Sequence, residues 1–218
     1  MFKQDIMESI IGFIKKNLPN GGTICVTGCG RAGKTTLAND IVLGFGKNES
    51  GRYPFDCLHT PIEYRRKIME SRGIVITGSH PDTVIKEMAL KTIKSIKNGE
   101  DVPIYESVLV GNDVEYKTIG MYRNKKYNII DGLTAMHHSV GKLYDIVIFM
   151  ECDEKTELQR RLLKEGYERN QNPEEIMKVF PLRRKQYEEY VLVYKNDATI
   201  VINTTDGNNI SITFNKTP

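Results

Sequence analysis

The segment from Gly28 to Thr35 has residue types and a spacing suited to holding a polyphosphate. It reads Gly-Cys-Gly-Arg-Ala-Gly-Lys-Thr and matches the pattern G-x-x-x-x-G-K-[ST] at every fixed position. Glycines let the backbone wrap closely, so that its N–H groups face phosphate oxygens. Lys34 would reach the β- and γ-phosphates, and the Thr35 hydroxyl would bind Mg²⁺. The sequence therefore predicts a P-loop whose nucleotide-binding residues are Gly28, Gly30, Arg31, Ala32, Gly33, Lys34, Thr35 and Thr36.

A strand and a helix must position this loop. The apolar run 23–27 precedes it and predicts a short buried strand, and residues 35–45 predict a helix. A loop that runs into a helix N-terminus gains a dipole that favours bound anions. The flanking elements are thus the ones that a P-loop requires. The alternative interpretation of residues 28–35 is a glycine-rich turn that binds no nucleotide.

The rest of the chain alternates apolar strands with helices. Further strands are predicted at 53–59, 73–77, 127–131, 145–150 and 198–202, and helices at 4–16, 63–71, 83–97, 154–168 and 173–194. Continuous apolar strands between helices indicate a three-layer α/β fold with a mostly parallel central sheet. In such sheets ligands bind at the carboxyl ends of the strands, which is where the P-loop falls.

Composition limits the class of protein. The chain has 218 residues, and its 31 Lys and Arg against 28 Asp and Glu give a net charge of +3. This length predicts one domain over 1–218, with an N-terminal helix within 1–20 and a β-rich excursion at 100–125. No apolar run approaches the ~20 residues of a membrane span, and the four cysteines lack metal-site spacing. We expect a cytoplasmic protein without membrane, zinc-finger or disulfide-scaffold character.

Several segments beyond the P-loop resemble the uridine kinase/phosphoribulokinase family of P-loop kinases, over about residues 22–203. His80-Pro81-Asp82 is similar to the family's D-H-P-D-A segment, and 96–106 to its L-x-x-G-x-x-V-x-x-P-x-Y-D segment. Residues 129–133 correspond to a strand ending in E-G-I, and 143–150 to the strand D-L-x-I-F-V-D. Residues 159–164, with Arg169, resemble the arginine-rich lid. Each motif is weak alone, but their order and spacing are fairly specific.

The resemblance implies roles for individual residues. Asp131 would lie near Mg²⁺ together with Thr35. Arg161 and Arg169 would belong to a lid at 154–172 and offset charge on the transferred phosphoryl group. Tyr105, in the β-rich excursion on the acceptor side, and His80 would contact the acceptor. The alternatives are a helix-capping Asp131, arginines on a solvated face, a packed Tyr105 and a His80 that only bonds locally.

The acceptor half departs from the family pattern. Pro61 stands where the family has its catalytic Asp, so another carboxylate must take the proton of the acceptor hydroxyl. We favour Glu63, with Asp56 and Asp82 as competitors. Gly78-Ser79 replaces the Phe-Asp that the family associates with ribose, and the run after Tyr105 lacks the base-reading histidine. The residues therefore do not indicate uridine or cytidine as the acceptor.

The predicted function is an ATP- (or other NTP-) and Mg²⁺-dependent kinase that phosphorylates a hydroxyl of a nucleoside-like or other small metabolite. One alternative is a kinase for a nucleic-acid-bound group, for which 123–127 and 183–185 are the basic segments. Another is a nucleotide-binding switch module that has lost catalysis, which Pro61 supports. A net charge of +3 does not favour a nucleic-acid partner. The expected partners are a nucleotide and a small acceptor, with no membrane, and a homo-oligomer is left open.

Overall fold

A computed structural model of the chain describes residues 2–207 and 209–215, and a six-stranded sheet organises it. The strands are β1 (Gly22–Gly28), β2 (Ser50–Pro54), β3 (Val102–Val110), β4 (Asp113–Tyr122), β5 (Tyr127–Asp131), β6 (Ile146–Glu151), β7 (Ile200–Asn203) and β8 (Ser211–Phe214). The sheet order is β2-β5-β1-β6-β7-β8, and every pair is parallel except the β7–β8 pair at the edge. The predicted α/β fold with a mostly parallel sheet is confirmed.

Six α-helices are described alongside this sheet. They are α1 (Gln4–Asn17), α2 (Lys34–Phe45), α3 (Ile62–Arg72), α4 (Lys86–Lys97), α5 (Glu154–Arg161) and α6 (Pro173–Tyr190). Apolar residues recur on one face of the packed helices, as in α1, where Ile6, Ile10 and Ile14 are buried. A π-helical turn, Leu162–Glu168, extends α5. None of the helices in the described residues has the length and apolar character needed to cross a membrane.

The core lies between the central strands and these helices. All five residues of β5 are buried, and so are the six residues of β1 from Thr23 onward. Strands covered on both faces need apolar side chains on both, which explains the apolar residues at 24–26 in β1 and 129–130 in β5. Each large side chain buried here, such as Ile129 or Phe149, contributes about 1.5–3 kcal/mol of hydrophobic stabilisation. The rigid centre of the sheet thus carries the P-loop at its carboxyl edge.

The prediction of a strand at 73–77 is wrong. This segment has no strand pairing, and Val75 is 54% exposed. Its backbone is instead bound by Gln186 of α6, whose Oε1 accepts from the Thr77 N–H at 2.9 Å and whose Nε2 donates to the Val75 carbonyl at 2.6 Å. Because a side-chain amide satisfies these groups, the segment does not need a strand neighbour.

The boundaries of two further elements differ from the sequence prediction. The helix predicted from residue 83 begins at Lys86, because Pro81–Thr83 form a separate 3-10 turn and Val84 forms a bridge with His59. The strand predicted at 53–59 ends at Pro54 and continues as a 3-10 turn, Phe55–Leu58. Both changes bring irregular backbone to the carboxyl edge of the sheet.

An antiparallel hairpin of β3 and β4 lies within the segment 100–125, for which the sequence predicts a β-rich excursion. Gly111, with φ of +61°, lies in the turn between the two strands. The base of the hairpin is tied to the sheet, because the Tyr122 hydroxyl donates to Asn128 Oδ1 of β5 at 2.8 Å and Tyr53 of β2 donates to the Pro103 carbonyl at 3.2 Å. The hairpin therefore stands beside the β2 end of the sheet.

Candidate active site

The P-loop runs from the end of β1 to the start of α2, and its glycines are required by its geometry. Gly28 has φ of +118°, and a Cβ there would lie 2.0 Å from the Met150 carbonyl oxygen of β6. Gly33, which precedes α2, has φ of +95°. Both conformations are strained for residues with a side chain. The backbone thus adopts the tight wrap that the sequence pattern predicts.

Lys34 lies inside this loop. Its Nζ donates to the Cys29 carbonyl at 2.7 Å and to the Gly28 carbonyl at 3.2 Å. Burial lowers the pKa of Lys34, while the charges of Asp56, Glu157 and Asp131 act to raise it. The negative charges of these three carboxylates thus favour the charged form of Lys34.

The two residues predicted to bind metal are in contact. Thr35 Oγ1 donates to Asp131 Oδ2 at 2.8 Å, which joins the start of α2 to the end of β5. The Asp131 side chain is 4% exposed and also accepts from Arg52 of β2, with Nε 2.6 Å from Oδ1. A hydroxyl and a carboxylate are hard oxygen donors of the kind that Mg²⁺ prefers, and Mg²⁺ takes few protein ligands when phosphates and water complete its shell. The residues present therefore fit a magnesium ion.

Of the three candidate bases, Asp56 has the clearest link to the P-loop. It lies in the 3-10 turn just after β2, its side chain is 66% exposed, and its Oδ1 is 3.5 Å from His59 Nε2. A Cβ on Gly132, directly after β5, would lie 3.3 Å from the same Oδ1. Its charge also acts on Lys34. The carboxylate thus faces the site from the acceptor side.

Glu63 and Asp82 have other surroundings. Glu63 is exposed in the first turn of α3. Asp82 Oδ2 is paired with Arg72 Nη1 at 2.8 Å. No contact among the described residues links either carboxylate to the P-loop, so their catalytic roles stay predictions.

The two residues predicted to bind substrate make contacts within the protein. His80 Nδ1 accepts from the Asp82 N–H at 3.1 Å, and its ring packs edge-to-face against Tyr190. Tyr105 packs edge-to-face against Tyr116, with ring centres 5.7 Å apart, and burial raises its pKa. These are the local bond and the packed aromatic that the sequence left open as alternatives, and the substrate roles stay predictions.

Arg161 joins the predicted lid to the P-loop. Its Nη2 lies 2.7 Å from Glu157 Oε1 and its Nη1 lies 2.6 Å from Glu165 Oε1. A Cβ on Gly30 would be only 2.5 Å from Arg161 Nη2, so the guanidinium lies directly against the loop. Arg169 is exposed and has no contact recorded in the described part of the chain. The structure therefore brings one of the two preferred lid arginines to the site.

Two buried glutamates, Glu157 and Glu165, hold the lid through ion pairs. The sequence did not predict that either residue would be part of the site. Glu165 binds Arg31 of the P-loop at 2.6 Å and Arg183 of α6 at 2.9 Å. Burial acts to raise the pKa of Glu165, but its arginine partners prevail and lower it. Glu157 accepts from the Cys29 thiol at 3.2 Å. The i, i+4 spacing of these acids to Arg161 was the available signal, and it entered the prediction only as the alternative of arginines on a solvated helix face.

A cavity of about 250 Å³ opens beside the P-loop. Its wall includes Phe2, Arg31, Gly33, Thr36, Arg160 and Thr204. Arg160 is fixed there, because its Nη1 donates to Thr204 Oγ1 at 3.0 Å. The cavity continues from the phosphate-binding backbone towards the loop after β7, and it can receive the part of a nucleotide beyond its phosphates.

The arginines of the two basic segments, 123–127 and 183–185, form ion pairs with carboxylates of the same chain. Arg123 pairs with Asp101, and Arg183 pairs with Glu165. Arg184 pairs with Glu188 at 2.9 Å. The charges of these three arginines are thus partly offset by carboxylates of the same chain.

Comparison with known proteins agrees with this geometry. The model of the Phosphoribulokinase / Uridine kinase family matches residues 23–211. The chain is similar to uridine-cytidine kinase B of Dictyostelium discoideum, at 25% identity over 82% of this chain and 73% of that protein. It is 26% identical to uridine kinase of Chlamydia pneumoniae, over 82% of this chain and 80% of that protein. The fold resembles that of D-glycerate 3-kinase from Cryptococcus neoformans, with a TM-score of 0.67 at 12% identity over 96% of this chain and 99% of that one.

Proposed function

The chain belongs to the phosphoribulokinase/uridine kinase family of P-loop kinases, and we propose that its site transfers the γ-phosphate of ATP to a hydroxyl of a small metabolite. One observation carries this proposal. Thr35 is bonded to Asp131 at the carboxyl edge of the sheet, Lys34 directly precedes Thr35, and Asp56 lies in the turn after the neighbouring strand β2. Groups for a metal, a polyphosphate and a hydroxyl proton are thus side by side. The family match favours this function over a nucleic-acid kinase or an inactive switch module.

The donor nucleotide would lie along the P-loop. Backbone N–H groups and the Lys34 ammonium bind the β- and γ-phosphates. To do so, Lys34 gives up its hydrogen bonds to the Gly28 and Cys29 carbonyls and donates to phosphate oxygens instead. The cavity lined by Phe2 and Thr36 takes the nucleoside part. ATP is the expected donor, and another NTP is the alternative.

Thr35 and Asp131 would hold Mg²⁺. When bound, the ion would supply positive charge that offsets part of the negative charge of the phosphates. Arg52 already balances the Asp131 charge, so it shares that carboxylate with the incoming cation. The role of Arg52 is to hold the Asp131 carboxylate in place beside Thr35.

Asp56 is the proposed base for the acceptor hydroxyl. A carboxylate within hydrogen-bond reach of the hydroxyl takes its proton as the new P–O bond forms. Asp56 meets this requirement best because its carboxylate is exposed, follows a strand that pairs with the Asp131 strand, and acts electrostatically on Lys34. Glu63 and Asp82 remain the competitors. Arg161, held against Gly30, offsets the charge that develops on the transferred group.

The direct test is turnover. The protein is incubated with Mg²⁺ and ATP and with nucleosides, sugars, sugar phosphates, pantothenate and glycerate, and ADP formation is measured. An acceptor that raises ADP formation above the rate with water alone supports the proposal. Tight ATP binding without turnover on any acceptor would contradict it and favour the switch module.

A further inference from the structure

The N-terminal segment reaches the cavity beside the P-loop. Phe2 and Lys3 line this cavity together with residues of the P-loop and of the loop after β7. Both residues precede the range 23–211 that the family model matches. The segment before β1 therefore adds a wall to the nucleotide side of the site, and the family match does not account for this wall.

Two contacts fix Phe2 beside the P-loop. Its backbone N–H donates to Asp40 Oδ2 of α2 at 2.7 Å, and Asp40 is buried. The tip of its ring lies against the last glycine of the P-loop, because a Cβ on Gly33 would be 3.8 Å from Phe2 Cζ. The ring is thus placed where the phosphate-binding backbone ends and the cavity begins.

The helix that follows holds this segment on α2. The buried face of α1 consists of isoleucines, Ile6, Ile10 and Ile14. The two helices pack closely, since a Cβ on Gly44 of α2 would collide with Ile11 Cδ1 of α1. Because α2 begins at Lys34, one helix carries both the anchor of Phe2 and the end of the P-loop. The position of Phe2 relative to the P-loop is therefore built into the fold.

The Phe2 ring has the chemistry to contact a base. Phe2 is half-buried, and no aromatic ring of the described residues is paired with it. Phe13 of the same segment differs, because its ring packs against Phe214 with ring centres 4.8 Å apart. An aromatic side chain in the wall of a nucleotide cavity offers a face on which a nucleobase can stack.

The place of Phe2 suits the base of a nucleotide and not its phosphates. Phosphates bind to the P-loop backbone and to Lys34, whereas a phenyl ring has neither a charge nor a hydrogen-bond donor to offer them. The polar side chains of the same cavity, Arg31 and Arg160, are bonded to Glu165 and Thr204. An apolar ring next to fixed polar groups gives the cavity separate places for a base and for the sugar and phosphates.

We propose that Phe2 stacks on the nucleobase of the phosphoryl donor and thereby contributes to the affinity of the site for nucleoside triphosphates. Every nucleobase has a π-face, so this contact favours a nucleotide over a bare polyphosphate and distinguishes only weakly between bases. The inference rests on the proposed function, for which it assigns the contact to the donor base. The N-terminal segment is then part of the active site.

The first test compares a nucleotide with the same phosphates lacking a base. Wild type and Phe2→Ala are titrated in a calorimeter, in the presence of Mg²⁺, with a non-hydrolysable ATP analogue and with inorganic tripolyphosphate. We expect Phe2→Ala to bind the analogue about 5- to 100-fold more weakly than the wild type and to bind tripolyphosphate equally well. Equal affinity of the two proteins for the analogue overturns the inference. An equal loss for both ligands also overturns it, and assigns Phe2 to shaping the P-loop through Gly33.

The second test separates stacking from packing. Phe2→Leu keeps an apolar side chain beside Gly33 but has no π-face, so it should lose most of the affinity that Phe2→Ala loses. Phe2→Tyr keeps the ring and should bind the analogue within about twofold of the wild type. Wild-type affinity in Phe2→Leu would show that the ring does not stack on the base, and would overturn the inference even where tripolyphosphate binds too weakly to measure.

Phe13→Ala is the matched control. It removes an aromatic ring from the same segment, but Phe13 packs against Phe214 and does not line the cavity. This variant should bind the analogue as the wild type does, even if its Tm falls. A loss of affinity as large as that of Phe2→Ala would attribute the effect to loosening of the whole segment, and would overturn a direct contact between Phe2 and the base.

These outcomes are distinct from those of the proposed function. Absence of ADP formation with every acceptor contradicts the kinase function, while the titrations still decide whether Phe2 contacts the base. Turnover with an unchanged KM for ATP and an unchanged affinity for the analogue in Phe2→Ala overturns this inference and leaves the kinase function intact.

Discussion

Arg52 binds the Asp131 carboxylate at both oxygens, with Nε 2.6 Å from Oδ1 and Nη2 3.2 Å from Oδ2. The two residues lie on neighbouring parallel strands, β2 and β5, and meet at the edge where the P-loop begins α2. Asp131 is thus paired with a protein cation at the place proposed for a metal cation. This pairing links the stability of the sheet to the occupancy of the nucleotide site.

Replacing Arg52 by Gln should destabilise the nucleotide-free protein by about 3 kcal/mol, because Asp131 keeps a buried charge without its partner. Mg²⁺ with an ATP analogue supplies a replacement cation, so this ligand should raise the Tm of the variant more than that of the wild type. Thermal unfolding with and without the ligand measures both effects. Equal ligand-induced shifts in the two proteins would contradict the link.

Arg72→Gln is the matched control for this experiment. Arg72 also pairs with an aspartate, Asp82, but its side chain is 60% exposed. Exposed pairs contribute about 0–1 kcal/mol, so this variant should unfold nearly as the wild type does. The ligand-induced rise in its Tm should match that of the wild type.

The donor half of the site was predictable because its parts are contiguous. A buried strand, a glycine loop and a helix N-terminus follow one another between Gly22 and Phe45, and their chemistry is readable in order. The Thr35–Asp131 contact joins residues far apart, and it was expected only from the resemblance to a known family. The observed contact shows that the ends of parallel strands meet at one edge of the sheet, while the metal-binding role of the two residues stays a prediction.

The rest of the site was harder to predict because its contacts join residues from different elements, and they depend on which elements become neighbours in the fold. The pairing of Arg52 with Asp131 depends on the register between β2 and β5, and a single sequence does not reveal that register. The Gln186 side chain makes the backbone hydrogen bonds to residues 75–77 that a neighbouring strand would otherwise make. No local sequence pattern indicates such a contact. The link from Asp56 to the P-loop likewise arises from a 3-10 turn that was predicted as strand.

Asp56→Asn should lower kcat by about 10²–10⁴-fold, because an amide cannot accept the proton of the acceptor hydroxyl. ATP affinity should stay near the wild-type value, since Asp56 binds no phosphate. Steady-state kinetics and a nucleotide titration separate the two effects. Glu63→Gln and Asp82→Asn serve as comparisons and should keep most of the rate. A large loss in Glu63→Gln with an active Asp56→Asn would instead confirm Glu63 as the base.

The protein should lose stability between pH 6.5 and pH 4 because of His137. Burial lowers the pKa of His137 to about 4, whereas an unfolded histidine titrates near 6.5. The unfolded chain therefore takes up a proton in this window that the folded protein does not bind. The free energy of unfolding should fall by about 1.4 kcal/mol per pH unit, or about 2 kcal/mol between pH 6.5 and pH 5.

Urea unfolding at several pH values measures this dependence. His137→Gln removes the titrating group but keeps a donor for the Ser79 carbonyl, which His137 Nε2 approaches at 3.0 Å. The variant should show a flatter slope than the wild type. Tyr194→Phe removes the hydroxyl near Nδ1 and keeps the imidazole, so its slope should stay steep. A wild-type slope retained in His137→Gln would assign the pH dependence elsewhere.

Arg161→Ala and Arg169→Ala should differ strongly in activity. Arg161 lies against the P-loop, and an arginine that offsets charge on a transferring phosphoryl group contributes about 10³-fold or more to kcat. Arg169 is exposed, so its removal should change kcat by no more than about twofold. Single-turnover rates at saturating ATP compare the two variants at the chemical step. Equal losses would show that the lid rearranges to bring both arginines to the nucleotide.

Arg161→Ala also removes a cation from two buried glutamates, so a loss of stability must be separated from a loss of catalysis. Arg183→Ala makes this separation, because it takes one partner from Glu165 without facing the P-loop. Both variants should lower the Tm, but only Arg161→Ala should lower the single-turnover rate of the folded protein. If Arg183→Ala lowers that rate as much, Arg161 acts by holding the lid in place and not by contact with the phosphoryl group.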